Sequence, residues 1–328
     1  MKRVYLLILC AFIASSIYAQ KNASLNWLGY IRTTYDYSIV EDEDNSNEFD
    51  LLLATLGFMA DINEYSQVFV FTYANYPANS GSSSRDYFGI LDAEIRFKPM
   101  KNLKLTMGQF VTPFASENLQ SSSKIDFTNR GFVVANSPAY RDIGAHLNYK
   151  NDMLSITGGV TNGSGMNTFD RNNHKNIVAR ADVRPFAGMR IAGGASIGKD
   201  NAPVDSMANN QKFYCGNISY TIGNLYTTVE GSVKDYLDET TNALYAYARY
   251  DIPIEMKLLH WVTPGFRYDF IDHLDSDNRT DRYTFGPSLN FDESKWLSMF
   301  RINYELVTSE GESDPADNLI VEFQMRFD

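Results

Sequence analysis

The sequence predicts an all-β protein, a transmembrane antiparallel barrel of sixteen strands, on three observations. Apolar and polar residues alternate with a period of two in short segments from about residue 25 to the last residues, the pattern of strands with one apolar face. Connections between these segments alternate between short turns and long polar loops, as in barrels of the outer membrane. No stretch after residue 20 is apolar for the roughly 20 residues that a membrane helix needs.

The chain opens MKRVYLLILCAFIASSIYAQ. Lys2 and Arg3, a short apolar run and small residues before Gln20 read as a secretory signal peptide over 1–19, with the barrel over 20–328. Cys10 lies inside that peptide without the small residue that a lipid-anchor cysteine follows. Only Cys215 then remains, so no internal disulfide framework is available. The formal charge of −11 becomes more acidic once Lys2 and Arg3 are removed, and no basic tract exists. Nucleic-acid binding is thereby disfavoured.

Taken in order, the alternating segments place strands near 25–37, 49–60, 66–76, 88–97, 103–110, 142–149, 153–161, 175–184, 189–198, 211–221, 224–232, 241–250, 261–270, 280–290, 296–307 and 317–327. The even number is that of single-chain bacterial barrels. GFRYDF sets Phe266, Tyr268 and Phe270 against Arg267 and Asp269. RYTFGPSLNF sets Tyr283, Phe285, Leu289 and Phe291 against Arg282, Thr284, Ser288 and Asn290. WLSMFRINYEL sets Trp296, Phe300, Ile302, Tyr304 and Leu306 against Arg301, Asn303 and Glu305. NLIVEFQMRF sets Leu319, Val321, Phe323, Met325 and Phe327 against Glu322, Gln324 and Arg326.

Every second connection is short: DINEY, PMKN, KNDM, PFAG and IGN. DIPIEMKLLHW is an exception whose apolar residues extend a strand on this reading. The intervening ones, IVEDEDNSNE, PANSGSSSRDY, NGSGMNTFDRNNH, KDNAPVDSMANN and IDHLDSDNRTD, are longer and polar. This layout puts both termini on the periplasmic side. A secreted or periplasmic β-sandwich remains the alternative, but it needs no such asymmetry, and no Pro- or Ser-rich linker divides the chain. In hydrocarbon a sheet must close to pair its backbone groups, and the polar face then lines water.

The face opposite the apolar one gives Arg32, Arg96, Arg180, Arg184, Arg249, Arg267, Arg282 and Arg301 as lumen-wall candidates, with Arg326. Its acidic members are Asp36, Asp92, Glu94, Asp182, Glu230, Asp269, Glu305 and Glu322. Opposed inward charges set up a transverse field, and a line of arginines lowers the barrier for anions. The same residues can instead pair across the wall and stiffen it. The acidic runs EDEDNSNEFD and DHLDSDNRTDR lack the calcium-loop spacing. His146, His174, His260 and His273 form no ligand motif, and no nucleophile elbow or H-E-x-x-H occurs, so no metal, cofactor or enzyme chemistry is expected.

One segment stands apart. LTMGQFVTPFASENLQSSSKIDFTNRG begins as a strand, with Leu103, Leu105 and Met107 opposite Lys104, Thr106 and Gly108. It stops alternating near Pro113, which has no N–H for a ladder bond. Alternation returns at about Asp142. So long an irregular stretch usually has a functional role. Residues 111–141 are expected to fold into the barrel, with Glu117, Lys124, Asp126, Arg130 and Arg141 meeting wall charges and setting a constriction. An outward loop is disfavoured because Phe110, Phe114, Phe127 and Phe132 would then face solvent.

Gly108, Gln109, Phe110, Pro113, Phe114, Glu117, Ser121 or Ser122, Ile125, Asp126, Phe127 and Arg130 resemble a G-Q-F-x-x-P-F-x-x-E-x-x-x-S block, with a following isoleucine, acid, phenylalanine and arginine, of the phosphate-selective porin O and P family. The likeness continues through RDIGAHLNYKNDMLSITGGVTNGSG and KNIVARADVRP. It implies a sixteen-stranded porin, commonly a homotrimer in lipid and lipopolysaccharide, with the loop after the fifth strand inside. Phosphate selectivity does not follow, because Lys124 and Arg130 stand beside Glu117 and Asp126 and the family's lysine-rich cluster is not evident. The expected function is passive diffusion of small hydrophilic solutes or inorganic anions. A structural or adhesive barrel with a plugged lumen, and a barrel enzyme, are the competing classes.

Overall fold

The computed structural model describes residues 24–39, 45–74, 88–202, 208–276, 278–310 and 317–327. The signal peptide expected over 1–19 lies outside the described residues, as do parts of the acidic run after Ile39 and of the loop after Ala74.

The strands are β1 (Ser24–Ile39), β2 (Ser46–Asp61), β3 (Ser66–Ala74), β4 (Phe88–Met100), β5 (Leu103–Val111), β6 (Arg141–Lys150), β7 (Leu154–Thr161), β8 (Asn176–Val183), β9 (Met189–Lys199), β10 (Asn210–Ile222), β11 (Leu225–Tyr236), β12 (Glu239–Tyr250), β13 (Ile252–Pro253), β14 (Trp261–His273), β15 (Asn278–Asn290), β16 (Ser298–Glu310) and β17 (Asp317–Phe327). Neighbours in sequence pair antiparallel, and β1 also pairs with β17, Gly29 opposite Phe327, which closes the sheet. The two-residue β13 continues β12, since both lie against β14. The wall is therefore a closed sixteen-strand barrel, and the apolar residues of DIPIEMKLLHW do extend a strand.

The alternation assigns the two faces as the sequence expects. On β16 and β17, Phe300, Leu306, Met325 and Phe327 are exposed on the outside. Arg301, Asn303, Glu305, Glu322 and Gln324 are buried on the inside. An outer face of this kind suits hydrocarbon, where apolar exposure costs nothing and every backbone group is paired by the closed sheet.

Several strand ends differ from the sequence reading, Trp296 among them, which lies outside β16 at positive φ; at two connections the strands run on for one reason. Most of IDHLDSDNRTD is strand, because β14 runs to His273 and β15 begins at Asn278. Likewise β11 extends to Tyr236 and turns directly into β12 through Leu237 and Asp238, both at positive φ. These strand ends rise into water, where both faces are polar, so the period-two signal vanishes while the ladder continues.

Gly108 lies within the β5 ladder, opposite Glu94 and Gly144. Its φ of +128° is one that L side chains rarely adopt, and an added Cβ would lie 2.1 Å from the Ala93 carbonyl oxygen. Glycine suits both that backbone conformation and the close approach of the neighbouring strand.

Candidate pore and inner loop

The segment between Val111 and Arg141 contains a 3-10 turn, Ser122–Lys124, and a one-turn helix, α1 (Phe132–Ala135). Its partners lie around much of the wall. Arg32 of β1 donates to the Thr128 carbonyl at 2.8 Å, and Arg180 of β8 to Ser116 Oγ at 2.8 Å. Arg267 of β14 donates to Asn129 O at 2.7 Å, Arg282 of β15 to Arg130 O at 2.7 Å and Arg301 of β16 to Ile125 O at 2.7 Å. Gln324 of β17 reaches Ser123 O at 3.0 Å. Acceptors on the wall complete the set: Glu230 takes the Ser116 and Glu117 N–H groups, Asp269 that of Phe132 and Asn303 that of Thr128. A single segment can touch β1, β8 and β14 on the same face of a closed sheet only from within it.

Two physical terms seat the segment. Its backbone is irregular, so its carbonyl and N–H groups need partners other than a ladder, and the wall charges supply them. Apolar packing adds to this. Phe114, Ala115, Phe127 and Val133 of the segment are buried against Val178, Phe213, Ala243, Tyr245 and Tyr247 of the wall. Gly194 of β9 permits the closest approach: a Cβ there would meet the Phe114 carbonyl oxygen at 2.5 Å and its Cα at 2.7 Å.

All eight arginines named from the sequence lie at the inner surface, but most are neutralised. Arg32 and Arg301 share Glu322, with Arg32 Nε 2.6 Å from Oε1. Arg267 and Arg282 share Asp269, at 3.3 and 2.6 Å. Arg180 pairs with Asp182 at 2.9 Å, Arg96 with Glu94 at 2.6 Å, and Arg249 lies between Asp126 at 2.8 Å and Asp251 at 2.6 Å. The arginines thus hold the wall and the inner segment together. Arg184, just past β8, is the exception, with no salt bridge among the described residues.

The five loop candidates divide in the same way. Asp126 meets Arg249 and accepts a 2.7 Å hydrogen bond from the Tyr247 hydroxyl. Arg141 pairs with Asp92 of β4 at 2.9 Å. Glu117 accepts from the Gly131 N–H at 2.8 Å, and Arg130 donates to the Glu117 and Gln120 carbonyls and to the Tyr140 hydroxyl. The side chains of these two bond within the segment rather than to the wall charges that the sequence reading expects, and only their backbone groups reach the wall, at Glu230 and Arg282. Burial raises the carboxyl pKa of Glu117, against the pull of Arg267 and Arg130, and raises that of Asp126, against Arg249. Lys124 alone of the five stands exposed to an inner cavity.

Space remains on the opposite side. A cavity of about 540 Å3 lies against β4 to β9 below the start of the inner segment, and another of about 700 Å3 against β17 and β1 to β4. In the first, Asp92, Glu94 and Asp182 are engaged by Arg141, Arg96, Arg180 and Arg190. Lys104, Lys150 and Arg184 line the same cavity and carry no salt bridge among the described residues. The His146 Nδ1 beside them is buried without a hydrogen-bond partner among the described residues.

Sequence reasoning missed two sets of inner residues. Tyr245 and Tyr247 share the face of Arg249 by period two, so the signal was present in YAYAR. Tyr30, Leu28, Phe69 and Phe71 form an apolar patch on the inner surface of β1 and β3. An expectation of a uniformly polar interior hides that patch.

A closed sheet with an apolar outside, a charged inside and a tethered inner segment defines an outer-membrane barrel of the porin class. The chain belongs to the family described as "Putative beta-barrel porin-2, OmpL-like", whose model matches residues 24–327. That agrees with the barrel-porin class named by the sequence resemblance, although the matching family is not the O and P family. No curated protein matches the chain. The fold is similar to the anion-selective porin of Comamonas acidovorans, at a TM-score of 0.69 and 13% identity over 93% of this chain and 100% of that one. It is similar to the outer membrane channel DcaP of Acinetobacter baumannii, at 0.67 and 11% over 93% and 97%. It is also similar to the trimer form of OmpT, an outer membrane protein of Vibrio cholerae, at 0.64 and 13% over 93% and 99%. At these identities the likeness concerns the fold. Family membership makes the chain a passive channel protein of the outer membrane.

Proposed function

We propose that this porin passes small hydrophilic solutes with a preference for anions, through the side of the barrel that the inner segment leaves open. The observation that carries this reading is the charge left over at the first cavity. Every carboxylate there is paired, while Lys104, Lys150 and Arg184 have no salt bridge among the described residues. Unpaired cations facing water lower the barrier for anions and raise it for cations. Residues 111–141 are the constriction on this reading, with Glu117, Asp126, Arg130 and Arg141 fixing its shape and Lys124 facing solute. Export by the 1–19 peptide, periplasmic termini, homotrimeric assembly, lipid and lipopolysaccharide contact, and a non-enzymatic role belong to the same proposal. The trimer is supported by the trimer form of the Vibrio cholerae OmpT barrel. Kinship with the O and P family rests on the Gly108–Arg130 motif, and phosphate preference has no separate support because the charges of the inner segment are of mixed sign.

Planar bilayers test this directly. Under a potassium chloride gradient the reversal potential takes the sign of an anion-selective pore, and Lys104→Gln with Lys150→Gln moves it toward zero. A cation-selective potential overturns the proposal. A plugged structural barrel is the second reading, favoured by the dense tethering of the inner segment, and folded protein without conductance would establish it.

A further inference from the structure

The two inner cavities differ in chemistry and share a boundary. Phe69, Asp92, Val111 and Leu119 line both. Asp92 is held by Arg141, so the free surface of this boundary is apolar. Leu119 is 42% exposed inside the barrel, an unusual position for leucine in a water-filled pore. Phe69 faces both ways. The Arg96 guanidinium lies 4.6 Å from its ring centre on the cationic side, and the Phe71 ring stacks at 5.9 Å on the other.

One side of the neck therefore offers unpaired cations, Lys104, Lys150 and Arg184, with the His146 ring nearby. The other offers Tyr30 and Phe71 as lining. Lys124 also faces the second cavity, so inorganic anions can use the cations of either but gain nothing from the apolar boundary between them. A ligand that uses both needs an oxyanion group at one end and an apolar body at the other.

Resting on the anion-preferring reading above, we propose that the paired cavities form one site for an organic anion: a carboxylate or similar group carried on an aromatic or aliphatic body. The oxyanion group sits among Lys104 and Lys150, which act as point charges, and Arg184, whose planar guanidinium offers a fork of donors. The body passes Phe69 and Leu119 toward Tyr30 and Phe71, which removes apolar surface from water. No covalent step is involved.

Calorimetric titration of the folded full chain in detergent tests this without depending on conduction. Phenylacetate and acetate carry the same charge and differ by a ring. Phenylacetate is expected to bind at a concentration about tenfold lower, the order that burying part of one ring provides. Leu119→Ser, at an exposed position, should remove most of that difference while leaving acetate unchanged. Phe69→Ser should do the same wherever it folds. Lys104→Gln with Lys150→Gln should weaken both ligands alike. Equal binding of the two ligands overturns the proposal, as does an equal loss of both in Leu119→Ser. Chloride conductance of the same preparation is read separately: its absence refutes the porin reading, while conductance with no ring preference refutes only the organic-anion site.

Discussion

The side of the interior formed by β14 to β17 and β1 and the β3 to β9 side use the same residue types for different ends. On the first, Arg32, Arg267, Arg282 and Arg301 meet Glu322, Asp269 and Glu305 and also hold backbone carbonyls of the inner segment. On the second, the carboxylates are outnumbered, and cations are left facing a cavity. An inward arginine is thus no sign of solute contact by itself. What decides is whether a carboxylate lies within reach, because a paired and buried charge is fixed and neutralised while an unpaired one at a water-filled cavity still attracts ions.

The largest expected effect breaks the packed side. Glu322→Gln leaves Arg32 and Arg301 buried without their shared carboxylate, and removal of one partner of a buried pair costs about 3–5 kcal/mol. Urea unfolding in detergent should show that loss. A change below about 1 kcal/mol would mean that the arginine contacts to the inner segment suffice.

Next in size is Gly194→Val, which drives a side chain into Phe114 and should cost about 1–3 kcal/mol. The displaced segment should raise single-channel conductance. Unchanged conductance with lowered stability would show that this end of the segment does not narrow the path.

Smaller still in stability, Lys104→Gln with Lys150→Gln should change it by no more than about 0.5 kcal/mol, as expected of groups without partners. The shift in reversal potential then separates the two sides: a solute-facing pair alters selectivity and leaves the fold alone. A large loss of stability would place these lysines with the structural arginines.

The subtlest test concerns pH. Because burial raises the Glu117 carboxyl pKa, the folded chain holds that proton more tightly than the unfolded chain. As pH rises above the ordinary carboxylate range, the unfolded state ionises first. Stability contributed at this position therefore falls with rising pH until Glu117 itself ionises. Glu117→Gln should flatten that slope in urea titrations repeated across the acid range, and an unaltered slope would assign it to other groups.

Much of the barrel was legible because hydrocarbon on one side and a polar interior on the other impose a strict period of two. Arg301, Asn303 and Glu305 declared their face through Phe300, Ile302 and Tyr304, and the structure puts them there. The inner segment declared itself by the loss of that period at Pro113 together with phenylalanines that could not stand in solvent. Its tethers were less legible: Asp126 with Arg249 and Arg141 with Asp92 join residues far apart in the chain. Tyr247 could have been read from the face of Arg249, whereas the apolar lining of Tyr30 and Phe71 ran against the expectation of a polar lumen.

By itself the sequence determined the strands, their two faces, the even count and the interruption, since each depends on a local pattern that burial or lipid exposure imposes. Tertiary structure alone decided which charges cancel. Pairing depends on register and on where the inner segment lies, and neither is written in any one strand. Lys104, Lys150 and Arg184 therefore look no different in the sequence from the arginines that serve the wall. They are set apart only by the carboxylates that closure of the barrel brings to others and not to them.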